Sequence, residues 1–153
     1  MSLREKDYIM KLLEQFYLAL NKFLYGETEE KIDFLAFEEK FYSGYLENTS
    51  HFFLTSSPDE IIDYIRRKFP EKEFVVRLEI ACELMFQNLE NNNKNRKDSL
   101  PEKLLELYNR LDSYTKTYSI EREYKLKYYG LKIHRFNMRM KFANNSIKYE
   151  YLL

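Results

Sequence analysis

The chain has 153 residues, enough for one domain and too few for two unless both are very small. Gly and Pro contribute 3 residues each, which argues against an all-β fold built on tight turns. The 25 Lys and Arg balance 25 Asp and Glu, so the chain as a whole is not the basic domain that nucleic-acid binding normally needs.

The first element is the clearest. Tyr8, Ile9, Leu12, Leu13, Phe16, Tyr17, Leu20 and Leu24 recur at helical spacing, with Lys11, Glu14, Gln15 and Asn21 between them. Gly26 follows as a C-terminal stop, so a helix is predicted over Leu3–Tyr25. Thr28, Glu29 and Glu30 supply a cap and first-turn acids for a second helix, continued by Ile32, Leu35, Ala36 and Phe41 toward Ser43 and Gly44. A shorter helix is expected over Tyr45–Leu54, weakened by the poor helix formers Asn48, Thr49 and Ser50 at its centre.

Ser57, Pro58 and Glu60 form a strong start signal: a capping serine, proline at the first helical position and glutamate three residues after the cap. Ile61, Ile62, Tyr64, Ile65 and Phe69 make the buried stripe and Pro70 ends it. Pro70 and Glu71 begin the next helix in the same manner, with Phe74, Leu78, Ala81, Cys82, Met85, Phe86 and Leu89 along one face. Asn91–Ser99 is polar and reads as a loop. Pro101 and Glu102 start a further helix carrying Leu104, Leu105, Tyr108 and Leu111 inward, and Ser119 starts a last one.

Beyond that point Phe136, Met138, Met140 and Phe142 alternate with polar residues, as do Ile147, Tyr149 and Tyr151. Period two predicts a β-hairpin or an extended arm; continuation of the Ser119 helix is the rival, favoured as far as Phe136. The expected fold is therefore all-α. Six or seven helices with short joints form antiparallel neighbours in a bundle or in stacked hairpins. Residues 1–135 make a single helical domain and residues 136–153 a C-terminal arm.

The opening Asp7–Phe16, the helix Arg77–Met85 and the stretch from Leu104 through Tyr108 to Thr117–Arg122 resemble a family of small bacterial proteins of unknown function. Those proteins have tetratricopeptide-like helical hairpins. The resemblance covers residues 7–130 and implies stacked hairpins and a binding role; it implies no activity, cofactor or catalytic residue.

The search for chemistry excludes more than it finds. The glycines at 26, 44 and 130 stand apart, so no phosphate cradle is formed. The lone Cys82 excludes an intrachain disulfide and a cysteine-built zinc cage, and its place in an apolar stripe marks it as a small buried residue. Neither His51 nor His134 has a glutamate three residues before it, so the helical metal motif is missing. Glu47 and His51 share an i,i+4 spacing and read as a solvated pair. Glu38 with Glu39, and Glu121 with Glu123, project in divergent directions and read as solvated faces. No cofactor is expected. The charged Met1–Asp7 stretch and the lack of an apolar run of about 20 residues predict a cytoplasmic protein without a membrane partner.

One segment carries charge of one sign. Residues 116–148 hold nine Lys or Arg against two Glu, and the rest of the chain carries the compensating negative charge. Lys125, Tyr128, Tyr129, Lys132, Arg135, Phe136, Arg139 and Lys141 interleave cations with rings there and are the candidate partner-binding residues. The aromatic content, 17%, is high and comes from 14 Tyr and 12 Phe, residue types favoured at interfaces. The expected function is a non-catalytic protein–protein interaction or scaffold module that takes another protein or a second copy of itself. The alternative is a nucleic-acid-associated regulator using residues 116–148. An enzyme with a site of scattered residues ranks last.

Overall fold

The computed structural model describes residues 3–26, 34–91 and 99–114. The described residues form six α-helices and no strand: α1 Leu3–Tyr25, α2 Phe34–Phe41, α3 Ser50–Thr55, α4 Pro58–Lys68, α5 Phe74–Asn91 and α6 Leu100–Tyr114. The fold is all-α, as the sequence predicts. The chain divides into two units, Met1–Leu107 and Tyr108–Leu153. In the second unit Tyr108 and Leu111 are buried on the last turns of α6. The predicted helix from Ser119, the arm over 136–153 and the boundary at 135 lie outside the described residues.

The first helix has the predicted limits. Its buried stripe is Ile9, Leu13, Phe16, Tyr17 and Leu20. At its end the Gly26 N–H donates to the Lys22 carbonyl at 2.8 Å, and any Cβ at position 26 would collide with that same oxygen.

Ring contacts fix the next packing step. Phe23, late in α1, stacks on Phe37 of α2 with centroids 3.5 Å apart, whereas Phe16 meets Phe41 at 5.7 Å and Tyr45 at 5.2 Å. The partner order reverses along the chain, so α1 and α2 run antiparallel. The same reversal relates α2 to α5: Asn88 Nδ2 donates to Glu38 Oε1 at 2.9 Å, and Arg77 Nη1 donates to the Tyr45 carbonyl at 2.6 Å. Helices α1 and α5 therefore run parallel, which brings Glu5 near their leading ends within 3.9 Å of Lys72.

The helix predicted over Tyr45–Leu54 is instead divided. α2 runs into a π-helical turn, Tyr42–Leu46, which ends at Glu47 in a left-handed conformation (φ 52°, ψ 40°). Thr49 then caps α3, its Oγ1 accepting from the Phe52 N–H at 3.2 Å. The poor helix formers at 48–50 serve as a break and a cap. The break is stabilised from elsewhere: Arg77 supplies a donor to the Tyr45 carbonyl, and the Tyr64 hydroxyl points at the carbonyls of Leu46 (2.7 Å) and Glu47 (2.9 Å).

The start of α4 follows its sequence signal. Ser57 Oγ accepts from the Glu60 N–H at 3.2 Å and Glu60 Oε1 accepts from the Ser57 N–H at 3.4 Å, closing the capping box. Ile61, Ile62 and Ile65 are buried, and Tyr64 is half-buried. After Pro70 a single 3-10 turn, Glu71–Glu73, leads into α5.

Helix α5 is the centre of the first unit. Every residue from Leu78 to Leu89 is buried, and the helix packs against α1, α2, α3 and α4. A helix flanked on this many sides needs apolar residues around most of its circumference, which Leu78, Ile80, Ala81, Cys82, Leu84, Met85, Phe86 and Leu89 supply. Fully burying one such large side chain contributes about 1.5–3 kcal/mol. In the first unit α6 adds Leu100, Leu104, Leu105 and Leu107 to the core, and Lys103 Nζ donates to the carbonyls of Phe53 (2.6 Å) and Ser56 (2.8 Å) at the end of α3. Among the described residues no helix is long and apolar enough to cross a membrane.

Candidate functional site

The candidate partner-binding residues Lys125, Tyr128, Tyr129, Lys132, Arg135, Phe136, Arg139 and Lys141 lie outside the described residues, as do His134, Glu121 and Glu123. Two other groups do not share one helix. Glu47 ends the π turn and His51 lies in α3, so the break separates a pair expected on one face; both are exposed. Cys82 is a free thiol and fully buried, the small core residue that its position implies.

Glu38 departs from the expectation of a solvated face. It is only 4% exposed and both its carboxylate oxygens accept from Asn88 Nδ2, at 2.9 and 3.1 Å. Glu39, one residue on, turns outward and accepts from the Ser50 N–H at 3.2 Å and from the Ser50 hydroxyl. The pair diverges, as adjacent helical residues must, but only one of the two is solvated.

Glu38 is one of several buried polar residues in the unit. On α5 Glu79, Glu83, Gln87 and Asn88 are all buried, and Gln87 Nε2 donates to Glu83 Oε1 at 3.0 Å. The sequence reading names only Phe74, Leu78, Ala81, Cys82, Met85, Phe86 and Leu89 along one face of this helix. Glu79, Glu83, Gln87 and Asn88 are polar residues inside a core, and the amide–carboxylate hydrogen bonds of Gln87 with Glu83 and of Asn88 with Glu38 offset part of the desolvation of the four residues they join. Tyr42 is fully buried close by, and its hydroxyl has no hydrogen-bond partner among the described residues. Burial, then the charges of Glu38 and Glu39, push its pKa well above the ordinary tyrosine range. Among the described residues no group of three or more His, Cys, Asp or Glu side chains is arranged to hold a metal ion.

The surface offers a different kind of site. Large apolar side chains stay exposed on α1: Leu18 is 57% exposed, Tyr25 68% and Leu3 81%. At about 100° per residue these three fall within roughly 60° of one another, on the side of the helix away from Ile9, Leu13, Phe16, Tyr17 and Leu20. Arg4, Asp7, Lys11, Glu14, Gln15 and Lys22 are exposed on the same side. The result is an outward strip of apolar and charged groups along a helix whose other side is anchored in the core. The signal was present in the sequence, as apolar residues lying off the periodic stripe. Comparison with family models, with curated proteins and with solved structures found no match to the chain.

Proposed function

We propose that this protein is a non-catalytic interaction module that presents the outer strip of α1 to another protein surface. The observation that carries this reading is the exposure of Leu18 and Tyr25 on a helix that already has a complete buried stripe. Leu18 and Tyr25 contribute nothing to that stripe, and large apolar groups clustered on an anchored element are what a contact surface needs. The antiparallel α1–α2 pair, followed by the parallel arrangement of α1 and α5, gives the strip a firm backing. The resemblance of Asp7–Phe16 and Arg77–Met85 to proteins with tetratricopeptide-like hairpins supports the same role. The reading has the protein working in the cytoplasm, with Cys82 as a free thiol.

The test compares proteins recovered on the wild-type chain with those recovered on Leu18→Glu and Tyr25→Glu, each checked for unchanged helicity by circular dichroism. Specific companions lost in both variants are the expected result. Identical recovery on all three chains overturns the reading.

A second reading rests on the segregation of charge. Residues 116–148 carry nine cations against two anions, with rings interleaved, which suits a single-stranded nucleic acid. Titration with oligonucleotides at two salt concentrations tests it: a steep loss of affinity with salt supports it, and no salt-sensitive binding removes it.

A further inference from the structure

We draw no further inference here: the strongest candidate, the surface patch of Leu3, Leu18 and Tyr25 on the outer face of α1, carries nothing beyond the reading above, because nothing in the structure shows what covers it.

Discussion

The Arg77 guanidinium on α5 donates to the backbone carbonyl of Tyr45 at 2.6 Å and so satisfies a carbonyl at the end of the π turn that follows α2. The same side chain pairs with Glu73 at 2.6 Å and lies over the Phe69 ring, 4.4 Å from its centre. Three elements meet on one residue: the π turn, the 3-10 turn before α5, and the end of α4. Arg77→Met should destabilise the protein by about 3 kcal/mol, because Glu73 is left buried without its cation and the Tyr45 carbonyl loses its donor. Arg77→Lys should recover only part, lacking the planar fork. Urea unfolding of the three chains measures this.

Lys103 performs a comparable task at the end of α3. Its ammonium is buried and bonded to the carbonyls of Phe53 and Ser56, groups that the six-residue helix cannot satisfy internally. Lys103→Met keeps the stem and removes both charged hydrogen bonds. A loss of about 2–4 kcal/mol is expected in the same unfolding experiment.

Burial raises the pKa of Tyr42 most, and burial is also the first cause of the raised values of Tyr45 and Tyr64. The unfolded chain releases these protons near pH 10, about the ordinary tyrosine value, while the folded chain holds them. Above that pH the folded state binds more protons than the unfolded one, so stability falls as pH rises. Below it the contribution is fully present. Thermal melts at pH 7, 9, 10 and 11 should show the decline begin near pH 10, and Tyr42→Phe should make it shallower. At pH 7 the same variant removes a buried hydroxyl that has no hydrogen-bond partner among the described residues and should gain about 1 kcal/mol.

Glu47 occupies the left-handed region with an ordinary side chain. Glycine carries no such penalty, so Glu47→Gly should stabilise the chain by about 1 kcal/mol in a urea titration. An unchanged or lower midpoint contradicts a strained Glu47.

The sequence carries the local structure well where a cap and a stripe coincide. Leu3–Tyr25 and the helix after Ser57 are legible because Gly26, Ser57, Pro58 and Glu60 mark their ends and apolar spacing marks their faces. The break at 47–49 is not, since it depends on donors from Tyr64 and Arg77, 17 and 32 residues away from the carbonyls they satisfy. The buried polar residues of α5 mislead for a similar reason. Asn88 and Gln87 look like a solvent face until Glu38, 50 residues earlier, is found beside Asn88. On α1 the candidate surface is legible only by subtraction, because Leu18 and Tyr25 are apolar yet fall outside the periodic stripe.

Photo-crosslinking from position 18 examines the contact surface most directly. A photoreactive residue replacing Leu18 should form a discrete protein adduct, and one replacing Arg67, exposed on α4, should form none. No adduct from position 18, or the same adducts from position 67, would contradict a role for the outer strip of α1 in binding.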